Sequence, residues 1–183
     1  MNYDLPETIE AGGTTYAIRW DFRAAMDILA ALEDPALDNA EKAEGALTIL
    51  YPDFGEMPPE HYEDALKACF EFINGGKDEP EQQKKPRLVS WEQDFDLIAA
   101  PVSRVLGYDV RRREPTHWWT FLSAYMELGD CLFAQVVAIR RKQARGEALS
   151  KDERRWYREN RALVDFKVEY TAAERDVLAT WGA

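Results

Sequence analysis

The chain has 183 residues, 46% of them hydrophobic and 12% aromatic, which is enough to build a packed core in one domain or a domain with appendages. A formal charge of −11 opposes nonspecific association with nucleic acid or an anionic membrane. No apolar run reaches the roughly 18 residues needed to cross a bilayer, and the opening MNYDLPETIE has no basic segment leading into an apolar one; both point to the cytoplasm.

The charge is unevenly spread. Residues 1–100 hold 22 acids against 8 bases, and residues 101–183 hold 12 against 15, so the net charges are −14 and +3. Halves of opposite sign attract one another, within one fold or between copies, and the sequence leaves both open.

In chain order, ETIEAGGTTYAIRW sets two short segments around Gly12 and Gly13, the pair that supplies the positive φ angles of a tight hairpin. Such a hairpin is marginal alone and is expected to lie on helices through Ile9, Tyr16 and Ile18. Phe22, Ala25, Met26, Leu29 and Leu32 then recur at helical spacing until Pro35. Asp38 caps a second helix, which stops before Pro52. Pro58 and Pro59 start a third, carrying Tyr62, Ala65, Leu66, Cys69, Phe70 and Ile73, and NGG at 74–76 ends it. The charged, proline-containing stretch at 77–89 reads as a linker. It separates residues 1–76 from 90–183, two parts small enough to share one core.

Ser90 caps the next helix, in which Trp91, Phe95, Ile98, Val102 and Val105 repeat; Pro101 is expected to kink or split it and Gly107 to end it. YDVRRRE follows as a short extended connection before the helical stretch EPTHWWTFLSAYMEL at 114–128. A helix from Asp130 ends in basic residues that complement its dipole. SKDE at 150–153 is a capping box for a helix bearing Trp156, Tyr157, Leu163 and Val164, and TAAE at 171–174 is another for a last short helix. The fold class is therefore mainly α: a compact multi-helix domain with a small N-terminal β-hairpin.

Residues suited to chemistry are few. The sequence has no glycine-rich phosphate loop, no CxxC and no HExxH. His61, Cys69, His117 and Cys131 match no paired zinc spacing, and they read as helix-start imidazoles and reduced thiols on apolar helix faces. Glu92 and Asp96 share one helical face while Asp94 points elsewhere, and acids in a first turn suit a solvated helix start better than a metal or acid/base pair. Arg111, Arg112, Arg113 and IRRKQAR at 139–145 are the candidates for phosphate contact, but the acidic half works against that use. Meeting acids of this chain or of a partner is more economical. No catalytic residue, metal or cofactor is expected.

In the aromatic stretch, Trp118, Phe121, Leu122 and Tyr125 lie along one face and Trp119 and Met126 broaden it, as in a helix packed on both sides. Trp119 and Tyr125 are expected to keep a polar atom near the surface. Taken in order, WDFR at 20–23, ILYP at 49–52, CFEFINGG at 69–76, DFDLIAAPVSRVLGYDV at 94–110, HWWTFLSAYMEL at 117–128 and QVVAIRRK at 135–142 resemble the bacteriophage gene-product-fifteen family, over residues 3–168. Pro101 departs from the family's pattern, and 169–183 reads as an extension. The resemblance implies a non-enzymatic tail assembly chaperone in the host bacterial cytoplasm, binding the tape measure protein and other tail proteins. Its alternative is a structural virion component, a connector or tail-terminus subunit. Trp119, Tyr125, Trp156 and Tyr157 are the candidate partner-binding residues, with no role for nucleic acid or membrane and with self-association left open.

Overall fold

The computed structural model describes residues 4–77 and 86–167. Among these lie eight α-helices, two single-turn 3-10 helices and one antiparallel hairpin, so the protein is mainly helical with a small N-terminal hairpin. Most of the linker expected at 77–89, and the capping box at 171–174 with its helix, lie outside the described residues. The described residues form two compact units, one from 4–77 with 117–119 and one from 86–116 with 120–167.

The first unit opens with β1 (Thr8–Ala11) and β2 (Thr14–Ala17), paired with Ile9 opposite Tyr16. Gly12 and Gly13 sit at φ +56 and +74, which L side chains rarely adopt. Space is short there too, because a Cβ on Gly12 would come within 2.1 Å of the His61 ring. The hairpin lies on α3, and the Tyr16 hydroxyl bonds His61 Nδ1 at 2.7 Å. Three helices follow: α1 (Phe22–Glu33), α2 (Asn39–Leu50) and, after 3-10 turns at Phe54–Glu56 and Pro59–His61, α3 (Tyr62–Ile73). Asp21 caps α1 through Arg23 N, and Asp38 forms a full capping box with Glu41 on α2. The last carbonyls of α2 are met by Arg19, whose backbone N–H donates to Leu50 and whose guanidinium donates to Thr48 and Ile49.

Helix α1 packs on α2 and α2 on α3, and Ala25, Ala46 and Ala65, one on each helix, are fully buried. Phe22, Ile28 and Leu50 fill the rest, each side chain contributing about 1.5–3 kcal/mol by leaving water. Tyr51 is buried with its hydroxyl donating to Ala65 O at 2.9 Å. Cys69 has no exposure, and burial pushes its thiol up to about 12, so it behaves as a small apolar side chain.

The second unit contains α4 (Trp91–Leu106), all but the first two residues of α5 (Trp118–Met126), α6 (Leu132–Ala144), α7 (Lys151–Glu159) and α8 (Arg161–Val164). Helix α6 packs on α4 and α8, and α8 on α7. Val136, Ile139 and Val164 are the centre of a cluster completed by Leu97, Leu149, Trp156, Tyr157 and Leu163.

Several expectations change here. Pro101 does not split α4, which runs unbroken to Gly107 at φ +78. Cys131 is not on a helix face: it is the extended N-cap of α6, its sulfur accepting Ala134 N, so that helix starts at Leu132 rather than Asp130. The helix begun at Ser150 ends at Glu159 and resumes as α8, because the Asn160 backbone leaves the helical region at φ −118, ψ 23. Residues 107–115 make turns rather than an extended connection, with Arg111 held by Asp109 and Arg112 lying 3.7 Å from the Tyr108 ring centre. Met126, expected in the core, is 64% exposed.

Candidate partner-binding surfaces

The three residues His117, Trp118 and Trp119 bind the first unit by backbone and side chain together. Trp118 N donates to Trp20 O at 2.8 Å, and His117 pairs with Asp21 as an isolated antiparallel bridge. His117 Nδ1 accepts Trp119 N at 3.0 Å while Nε2 lies 2.9 Å from Pro6 O. An amide N–H can only donate and a carbonyl can only accept, so the ring carries its hydrogen on Nε2. The two indoles donate to the end of α3: Trp118 Nε1 to Ile73 O at 2.9 Å, Trp119 Nε1 to Phe72 O at 2.8 Å. Helix ends leave carbonyls short of partners; the Trp118 indole reaches that of Ile73, while Phe72 O accepts Gly75 N at 3.1 Å as well as Trp119. Trp118 is buried; Trp119 is half-buried, stacked on Phe72, with a face against Gly76.

In the second unit the dominant polar feature is an ion pair. Asp94 and Arg140, the side chains 0% and 3% exposed, form a two-pronged bridge at 2.6 and 3.0 Å. Arg140 also donates to the carbonyls of Val164, Leu163 and Leu88 and lies 4.1 Å from the centre of the Phe166 ring. Asp94 also accepts Ser90 N. Every polar atom of the pair is thus matched, the condition under which two buried charges are tolerated. The expectation of solvated acids holds for exposed Glu92 and Asp96 but fails for Asp94, and Arg140 is no surface base. A signal was available: Asp94 lies in phase with Ile98 and Val102, and Arg140 with Phe133 and Val136, so each charge occupies a core position of its helix. Asp94 of the acidic stretch thus meets Arg140 of the basic one.

The four candidate residues divide between the units. Trp119 is in the first; Tyr125, Trp156 and Tyr157 are in the second. Tyr125 is half-buried between Trp91 and Phe133, at ring distances of 5.0 and 5.8 Å, and burial first, then the Asp94 charge, raises its hydroxyl above the ordinary range. Trp156 and Tyr157 pack together on the Val136 cluster. The Tyr157 hydroxyl donates to Asp165 at 2.7 Å. Burial pushes the Asp165 carboxyl up, but the bonds from Arg161 and Tyr157 and the charges of Arg161 and Arg140 outweigh it, and it lies below its usual value. Beside Tyr157 is an open depression of about 440 Å³, lined by Leu149, Lys151, Arg154, Tyr157 and Arg158.

Among the described residues no group of histidine, cysteine and carboxylate side chains is gathered as a metal site, and no helix is long and apolar enough to cross a membrane. What they define is a mainly helical protein with half-buried aromatic rings and a charged surface. Residues 1–166 match the family described as Bacteriophage Gp15 protein, and the chain belongs to that family of phage proteins. No curated protein and no solved structure matches it.

Proposed function

We propose that this phage protein is a non-enzymatic tail assembly chaperone, which holds the tape measure protein soluble in the host cytoplasm until the tail tube forms around it. The observation that carries the reading is membership of the Gp15 family over residues 1–166. Half-buried Trp119, Tyr125, Trp156 and Tyr157 support it, since each presents part of an aromatic ring that an amphipathic helix can cover. The charge of −11 keeps such a complex in solution.

Co-expression with the tape measure protein of the same phage genome tests the proposal. The expected result is a soluble complex of defined mass, with the tape measure protein aggregating when this chain is left out. Trp119→Ala combined with Tyr125→Ala should weaken the complex while leaving the far-ultraviolet circular dichroism of the helices unchanged. Absence of a complex, with the chain retained in finished virions by mass spectrometry, would instead make it a structural tail component.

A further inference from the structure

We infer that copies of this chain associate head to tail, the basic face of α7 in one copy seating on the acidic surface at residues 53–64 of the next. Lys151, Arg154 and Arg158 follow one another at steps of three and four, so they share a helical face, and all three are exposed around the depression floored by Tyr157 and Leu149. Of the other charges of α7, Glu153 pairs with Lys142 at 2.6 Å and Asp152 with Arg155 at 3.3 Å, which leaves Glu159 at the helix end. Among the described residues, no ion pair engages Lys151, Arg154 or Arg158.

The complementary surface is on every copy. Asp53, Glu56, Glu60, Glu63 and Asp64 are all exposed, and no lysine or arginine interrupts residues 53–64. Glu60, Glu63 and Asp64 cluster at the start of α3, next to the half-buried rings of Phe54 and Tyr62, whose centres are 4.9 Å apart. That pair offers apolar surface for Tyr157 and Leu149 to cover.

Charge chooses the partner. The described part of the first unit holds 16 acids and 5 bases, that of the second 12 and 15, so like units repel and unlike units attract. A single basic-on-acidic contact is heterologous: it leaves each end of a pair with one unlike surface for the next copy. The overall charge of −11 opposes approach, but at physiological salt it is screened beyond about 8–10 Å, within which the local patches dominate. A polyanion such as nucleic acid fits the basic face but is repelled by the net charge of −11 without a compensating second contact. The α7 face shares Tyr157 with the tape measure proposal, but neither surface includes Trp119 or Tyr125, so the paired Trp119 and Tyr125 variants and the charge-reversal variants test the two separately.

Sedimentation velocity of the full chain at about 50 mM and about 500 mM salt reads the association directly. Larger species should form at low salt and dissociate at high salt. The variants R154E/R158E and E60K/E63K should each lose about tenfold or more in low-salt association, with unchanged circular dichroism because all four side chains are exposed. An equimolar mixture of the two should recover it, each altered face meeting its altered counterpart. A chain that is monomeric at low salt, variants that still associate, or a mixture that does not recover would each overturn the inference.

Discussion

Arg140 brings a guanidinium to a place with 3% side-chain exposure, and only the groups around it make that tolerable. Asp94 balances the charge, three backbone carbonyls take the remaining hydrogens, and the Phe166 ring covers one face. Removing one partner leaves the other buried and uncompensated. Asp94→Asn and Arg140→Met are each expected to cost about 3–5 kcal/mol in urea unfolding, and Asp94→Leu with Arg140→Met should recover much of that loss. Glu92→Ala and Asp96→Ala, on the exposed side of the same helix, should stay within about 0.5 kcal/mol. The pair was half legible in the sequence. Periodicity places both charges on core faces, but it carries no information on which helices meet, so joining Asp94 to Arg140 requires the fold. The paired tryptophans show the same limit: their burial follows from the pattern, their donation to Ile73 and Phe72 does not.

At the scale of elements, local chemistry was the most readable. Asp38, Ser90 and Ser150 cap helices as their side chains imply, and Gly12, Gly13 and Gly107 adopt the positive φ their positions demand. The misreadings arise where tertiary structure overrides a local rule. Pro101 is buried within a continuous helix, its neighbours Ile98, Ala99 and Val102 also enclosed, so packing holds the segment together through the missing hydrogen bond. Asn160 breaks a run whose apolar spacing continues past it, since the pattern alone does not register the turn that brings Leu163 and Val164 carbonyls to Arg140. Helices α7 and α8 are tied by Asp165, which accepts Tyr157 and Arg161. Because its carboxyl lies below the ordinary value in the folded protein, the stabilisation is present at neutral pH and is lost as pH falls through the carboxylate range, around 4 and below. Asp165→Asn should therefore lower the melting temperature at pH 7 by a few degrees, and the gap from the unaltered chain should close as melts are repeated toward pH 3.

For the whole molecule, the class of fold and the family were both legible, and the division of labour along the chain was not. The sequence suggests a boundary at 77–89, yet residues 117–119 belong with the first unit. Short-range patterns cannot assign three residues to a body some 40 positions upstream. A measurable outcome follows. A fragment ending at residue 79 lacks Trp118 from its core and the hydrogen bonds that Trp118, Trp119 and His117 make to Ile73, Phe72 and Pro6. It should retain helix by far-ultraviolet circular dichroism but lose the near-ultraviolet signal of fixed aromatic rings, and adding a peptide spanning 112–128 should restore part of that signal. A fragment with a full near-ultraviolet signal on its own would show that the first unit does not depend on these residues.

That late contribution has a consequence in time. A ribosome emits the chain from its N-terminus, so the hairpin and three helices emerge while Trp118 has yet to be made. At about 5–20 residues per second, the roughly 40 intervening residues take about 2–8 s. For that interval the nascent first unit exposes an unfilled slot and lacks the indole donor to the Ile73 carbonyl, the segment of synthesis in which it is most open to the wrong neighbour.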